Sequence, residues 1–247
     1  MDHRLQLALA GAIPAVVAMF YFDWLDRRRP EPPWRLRLVA FAGMVSTLPA
    51  LAFELWAREL FSFDSAWVQT LVEAFAITAL PEEFAKLAVV GIFVWRHPAF
   101  DERLDGIVYA AHAGLGFALV ENVGYLFASP DLEAYWSTFL SRAVLAVPGH
   151  AIWAGMMGYW AARHRFDEHG PGIWGGFALA VILHGAYDAA LIAIPKVPDI
   201  VAAGLALVPV MVILGGFLLL RHWAREALDH DNRAEAWSDF LAGRHVD

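Results

Sequence analysis

The 247-residue sequence contains no cysteine. That excludes disulfides, thiolate metal sites and a cysteine nucleophile, and it removes redox chemistry as a guide to compartment. Charge is scarce as well. Asp, Glu, Lys and Arg make up 18% of the chain, against about 25% in an ordinary soluble domain. The net charge of −8 leaves no basic face, which argues against nucleic acid as a partner. Apolar residues are in excess, at 59% with a mean hydropathy of +0.49. They fall in blocks of roughly twenty residues, the length that crosses a hydrocarbon core. A soluble enzyme and a disordered or fibrous chain are thereby excluded. The expected fold is all-α, one polytopic integral membrane domain. The first apolar run, Leu5 to Phe22, is too long for a signal h-region and is followed by Asp23-Trp24-Leu25-Asp26, so no cleaved signal is expected.

Seven spans are expected: Leu5–Phe22, Leu38–Trp56, Trp67–Trp95, Gly106–Ala128, Thr138–Ala162, Gly172–Ile194 and Ile200–Leu220. In lipid each must be a helix, because no water satisfies a bare backbone. Basic residues set the orientation. Arg27, Arg28, Arg29, Arg35, Arg37, Arg96, Arg103, Arg163, Arg165, Arg221, Arg225, Arg233 and Arg244 fall on one side, 13 of the 18. Arg4, Arg58, Arg142 and Lys196 fall on the other. This predicts the N-terminus outside and the C-terminus in the cytoplasm. The third span has 29 residues. At 1.5 Å per residue it would extend roughly 43 Å against a core of about 30 Å. It either tilts or breaks at Pro81. The expected division is residues 1–221 as the transmembrane domain and 222–247 as a polar cytoplasmic tail. In the tail Ala234, Trp237, Phe240 and Leu241 recur at helical spacing, as in a surface helix or a solvated end.

Ionisable groups inside spans each cost at least about 2.5–3.5 kcal/mol to insert. Here they recur in four consecutive spans: Glu82, Glu83 and Lys86; Glu121 with Asn122; His150; and His184 with Asp188. Glu82 and Lys86 are i,i+4 neighbours on one helix face, as are His184 and Asp188. Pro148 precedes Gly149-His150 and can open the backbone there. Each feature has a structural reading: a buried Glu82–Lys86 ion pair, a packing histidine, an Asp188 that merely orients His184, an Asn122 that joins two helices. Their conjunction reads as one inward-facing site. Glu73 and His112 lie half a helix rotation from Glu82 and Glu121, and Glu54 and Asp105 lie near span ends. Histidines and carboxylates from several helices suit zinc or another divalent ion, with a further carboxylate as general base. No H-E-x-x-H or G-x-S-x-G is present, and no second aspartate forms an intramembrane dyad.

These residues resemble the motifs of the PrsW-type intramembrane proteases. Glu82-Glu83-Phe84-Ala85-Lys86 resembles their E-E-x-x-K, Phe117 to Glu121-Asn122 their F-x-x-x-E-N, Gly149-His150-Ala151-Ile152-Trp153 their third motif, and His184 to Asp188 their H-x-x-x-D. Asp26 with Pro30-Glu31-Pro32, Asp105 to Tyr109, and Gly114 to Phe117 also match, so the resemblance runs from about residue 20 to 195. His112 departs from it, standing where a small residue is expected, and leaves open an extra ligand or proton carrier. The family is distantly similar to the CAAX prenyl endopeptidases. The resemblance implies hydrolysis of a peptide bond in or beside a membrane-anchored protein. In the best-known members this is a transmembrane anti-sigma factor, cut in stress signalling. The implied cofactor is zinc or another divalent metal, or none, since both metal-dependent and glutamic mechanisms are described.

On this reading Glu82 or Glu83 activates water, and Glu121, His150 and His184 hold a metal or polarise the carbonyl. Asn122 donates to the oxyanion, Asp188 orients His184, and Lys86 keeps a glutamate charged. The partners are the membrane-anchored substrate and the bilayer. A proton-coupled transporter or channel using the same cluster is the alternative, and a non-catalytic scaffold binding a partner helix is a third reading. Glu82 and Glu83, about 100° apart on a helix, are expected to differ in role.

Overall fold

A computed structural model of the chain describes residues 3–242, with the side chains of residues 3–6 and 240 left aside. Arg244 lies outside the described residues, as do the side chains of Arg4 and Phe240. Every regular element among the described residues is helical. In chain order they are α1 (His3–Ala10), α2 (Ile13–Leu25), α3 (Pro33–Leu60), α4 (Ala66–Leu71), α5 (Leu80–Phe93), α6 (Arg103–Phe127), α7 (Leu132–Ser141), α8 (Val147–Asp167), α9 (Gly172–Ala193) and α10 (Asp199–Leu241). α1 with α2, α4 with α5, and α7 with α8 each follow one another closely, so the ten helices make seven rods. Five stretches are long and apolar enough to cross a membrane: Leu7–Leu25, Pro33–Leu60, Arg103–Phe127, Gly172–Lys196 and Asp199–Asp239. The chain is thus a multi-pass, all-α membrane protein. Phe20, Phe41, Leu48, Ile92, Val144 and Ile182 are exposed, as side chains that face lipid should be.

α6 is the axis of the bundle. Its apolar window is 78% buried, against 22% for Leu7–Leu25 and for α10. Glycine explains how neighbours come so near. A Cβ on Gly116 would run into the carbonyl of Ala40 in α3, and one on Gly158 of α8 into the carbonyl of Gly106. Small residues that let backbones approach are the usual basis of helix packing in lipid, where hydrophobic burial between helices has little drive.

The third rod does not break at Pro81. Val72–Ala79 is π-helical and passes directly into α5, whose second residue is Pro81. Proline lacks the N–H that an α-helix requires and its ring crowds the preceding turn. A wider turn just before it accommodates both, so the rod continues. The same device recurs at Pro148: Arg142–Ala146 is π-helical and Pro148 is the second residue of α8. π turns of this kind often lie at functional sites, and here each precedes a candidate site residue. The polar residues after Leu220 continue α10 without a boundary. Ala227 and Asp231 are buried. Asp231 accepts from the backbone N–H groups of Arg103 and Leu104, each at 3.1 Å, and so caps the start of α6. Trp237 and Leu241 are exposed.

At the arginine-rich end, Asp26 is buried where the chain turns from α2 to α3, and its Oδ2 accepts from the Glu31 N–H at 2.8 Å. Burial pushes its carboxyl from the ordinary 3.8 up to about 7; the Glu31 N–H opposes this, while the Glu31 and Glu102 carboxylates add to it. A pKa raised by folding means that the folded state holds the proton more tightly. The associated stability is complete below pH 3.8 and is lost as pH rises through about 7. Glu31 and Glu102 are raised in the same direction. Asp26→Asn keeps the acceptor oxygen and should reduce, without abolishing, the fall in Tm between about pH 4 and 8. Thermal unfolding in detergent measures it, and an unchanged slope would exclude Asp26 as a source.

Candidate active site

The four motifs meet in the bundle interior. Glu82, Glu83 and Lys86 come from α5, Glu121 and Asn122 from α6, His150 from α8, and His184 and Asp188 from α9. Lys86 is the hub. Its Nζ lies 2.7 Å from Glu83 Oε1, 2.7 Å from His150 Nδ1 and 3.6 Å from Glu82 Oε2. It also sits over the Phe117 ring, 4.6 Å from the centroid. An ammonium can only donate. His150 therefore accepts at Nδ1, and its Nε2–H donates to Glu121 Oε2 at 2.8 Å.

The two adjacent glutamates part company. Glu83 is fully buried, and its Oε1 accepts from both Lys86 and His184 Nδ1, the latter at 2.9 Å. Glu82 is 3% exposed and makes no hydrogen bond among the described residues; its Oε2 is buried and unpartnered. Around that oxygen stand Lys86 Nζ at 3.6 Å, His184 Nε2 at 3.9 Å and His150 Nδ1 at 4.0 Å. Asp188 Oδ2 is 3.2 Å from His184 Nε2. Trp153 stacks on the His184 ring at 4.4 Å and 17°. His184 is thus held on three sides.

Two cavities reach these groups. One, about 700 Å3, is lined by Glu121, Arg142, His150, His184 and Asp188, with Arg58, Glu73 and Lys196 at helix ends. The second, about 370 Å3, runs between α3 and α6 and brings Glu82, Glu54 and Glu121 to its wall. Glu73 bonds Arg58 at 2.5 Å, and Glu54 lies 3.3 Å from the same guanidinium.

Several placements differ from the sequence expectations. Glu82, Glu121 and His150 offer ligand atoms within 4.8 Å of one another. His184, expected in that set with Glu121 and His150, is instead held by Glu83, Asp188 and Trp153. Asn122 is fully buried, donates through Nδ2 to the Gly11 carbonyl at 2.7 Å and accepts at Oδ1 from Arg142 Nε at 2.6 Å. Its polar atoms fasten α6 to the turn between α1 and α2. His112 binds the Val108 carbonyl at 2.8 Å and lies 3.1 Å from Asp23, toward α2 and apart from the cluster.

Arg142 is the residue that spacing did not flag. By sequence it is one more basic residue near a span edge, yet its Nη2 bonds Glu121 Oε2 at 2.7 Å and it lines the larger cavity. The available signal is its place six residues before Pro148. Arg142→Ala leaves Glu121 without its cation. Hydrogen bonds to charged groups contribute about 1.5–3 kcal/mol, so cleavage should slow roughly 10- to 150-fold, with partial recovery in Arg142→Lys. A wild-type rate in Arg142→Ala would make the contact incidental.

The donor chemistry fits a divalent ion. Two carboxylates and an imidazole suit zinc and similar metals, and a buried Glu82 oxygen without a hydrogen bond is a group that a cation would satisfy.

Comparison with known proteins agrees with this arrangement. A family described as PrsW family intramembrane metalloprotease matches residues 31–215, which include every residue of the cluster. Protease PrsW of Geobacillus kaustophilus is 36% identical over 190 residues, 76% of this chain and 80% of that protein. Protease PrsW of Bacillus subtilis is 32% identical over 189 residues, covering 75% and 82%. That of Clostridioides difficile is 27% identical over 190, covering 75% and 79%. No solved structure matches the chain. The transporter and scaffold readings are not favoured by these matches. A bundle that buries a glutamate–histidine–lysine cluster beside a polar cavity, matched by one protease family across most of its length, is a membrane protease: the chain belongs to the PrsW family of intramembrane metalloproteases.

Proposed function

We propose that this protease hydrolyses a peptide bond in or next to a membrane-anchored protein, with Glu82 as the general base. The observation that carries the assignment is the bare Glu82 Oε2. It is the buried oxygen that Lys86, His150 and His184 surround at 3.6–4.0 Å without a hydrogen bond. A water in that space would give a proton to Glu82 as its oxygen attacks the scissile carbonyl carbon. Glu82 then returns the proton to the leaving amine. Glu83 and Lys86 form the buried charge pair that positions His150 and His184. Asp188 fixes the His184 ring. Arg142, whose Nε and Nη2 are engaged with Asn122 and Glu121, replaces Asn122 as the donor nearest the carbonyl oxygen. Glu121 and His150 would hold a metal ion beside Glu82, which when bound supplies a more acidic water and a polarised carbonyl. We place the arginine-rich end in the cytoplasm and count seven spans, because the basic residues favour that side.

The metal assignment is tested without a substrate. Protein purified in detergent should hold near one equivalent of zinc or another divalent ion by mass spectrometry. Glu121→Ala and His150→Ala should lose it, and Asp188→Asn should keep it. A folded wild type that takes up none after incubation with zinc would leave a glutamic mechanism.

A further inference from the structure

α2, α8 and α10 enclose a further groove of about 510 Å3, which shares no lining residue with the two site cavities. Its floor is Pro148 and Ile152 of α8. Its walls are Phe22 and Leu25 of α2 and Phe217 and Leu220 of α10. At one end four arginines line it: Arg27, Arg28, Arg221 and Arg225. All four are exposed. Arg27 donates to the Trp24 carbonyl at 3.1 Å and lies over that ring. Among the described residues no carboxylate pairs with any of them. Acidic partners at this end are committed elsewhere. Arg29 takes Glu102 and Glu235, at 2.5 and 2.7 Å. Asp23, one turn from Arg27, faces His112 at 3.1 Å.

Four like charges at the mouth of an apolar slot repel one another, so their placement calls for a counter-charge. The slot calls for hydrocarbon. From Ala18 to Leu25, ahead of Arg27 and Arg28, the groove follows α2 for about 10 Å at 1.5 Å per residue, part of one leaflet of a core of about 30 Å. An amphiphile with a negative head and an acyl chain meets both demands.

We propose that this groove binds one anionic phospholipid. Arg28, Arg221 and Arg225 hold the headgroup phosphate through charge-assisted hydrogen bonds, with Arg27 beside them. An acyl chain lies along Ile152, Phe217 and Leu220. A zwitterionic lipid supplies the same tails, but its ammonium meets the arginines, so the site selects net negative heads. The floor residue Pro148 is two positions before His150, and the bound lipid therefore rests against the start of the helix that carries a site residue.

The test uses the full chain in detergent micelles, with dioleoyl phosphatidylglycerol or dioleoyl phosphatidylcholine added and bound lipid counted by native mass spectrometry. Phosphatidylglycerol should be held at least about tenfold more tightly. The triple variant Arg28→Gln, Arg221→Gln, Arg225→Gln should lose that preference, and the corresponding triple lysine variant should keep most of it. Inorganic phosphate at millimolar concentration should leave the lipid bound. Equal retention of the two lipids by the wild type overturns the proposal whether or not the variants fold. Displacement by phosphate alone would make this a soluble-anion site and overturn it too. So would a folded triple glutamine variant that still prefers phosphatidylglycerol.

Discussion

Replacing Glu82 by Gln should leave a folded, membrane-inserted protein that cleaves roughly 100- to 10,000-fold more slowly, the range that loss of a general base produces. Gln has the shape of Glu, and no hydrogen bond is lost, because Glu82 makes none. The change removes the oxygen's capacity to take a proton, together with a charge 3.6 Å from Lys86 Nζ. Glu82→Asp should retain part of the rate, since it keeps the carboxylate while withdrawing it by a methylene. Glu83→Gln is the contrast. Its oxygen accepts from Lys86 and His184, so its loss should lower stability as well as activity. Rates are measured on a single-span reporter protein in proteoliposomes, with the cleavage fragment identified by mass spectrometry. If Glu82→Gln cleaves at the wild-type rate while Glu83→Gln is inactive with unchanged Tm, the two roles are reversed.

The second large effect is structural. Lys86 is fully buried and is the cation nearest both Glu82 and Glu83. Lys86→Met keeps the stem and removes the charge, leaving two carboxylates close together in a medium of low dielectric. Breaking a buried pair from one side costs about 3–5 kcal/mol. For a chain of this size that is roughly 6–20 °C in Tm. Adding Glu83→Gln to Lys86→Met should recover more than half of the loss, because the uncompensated charge goes with it. The four proteins form a double-mutant cycle, read by thermal unfolding in detergent. Additive losses would mean that the two charges do not stabilise each other. Lys86 then could not be what sets Glu83 apart from Glu82.

What could be read from the residues alone follows from short-range rules. A block of twenty apolar residues has one conformation available in lipid, so the rods appear where hydropathy places them: Gly172–Ile194 was expected and α9 is Gly172–Ala193. Helical spacing also holds without tertiary help, and Lys86 does face Glu82, as His184 faces Asp188. The distinct surroundings of Glu82 and Glu83 follow from the same geometry. Pro81 left two outcomes open for a local reason. A missing N–H can end a helix or widen it into a π turn, and only the packing of the rod against its neighbours selects between them.

The remainder depended on how each helix is rotated and how deep it sits, which no single segment encodes. Contacts at glycine set the spacing of α3 and α8 about α6. Once those are fixed, Trp153 stacks on His184 and holds it beside Glu83, edge-on to the His150 ring. Asn122 reaches the Gly11 carbonyl of a different rod. Arg142, unremarkable at a span edge, turns inward because Glu121 and Asn122 lie across from it. Composition and spacing thus settled that charged residues are buried in a membrane bundle, because burial of charge has a high and general cost. Which partner each carboxylate oxygen finds was decided only by the assembled bundle, because a hydrogen bond requires its partner within about 3 Å and that distance is set between helices.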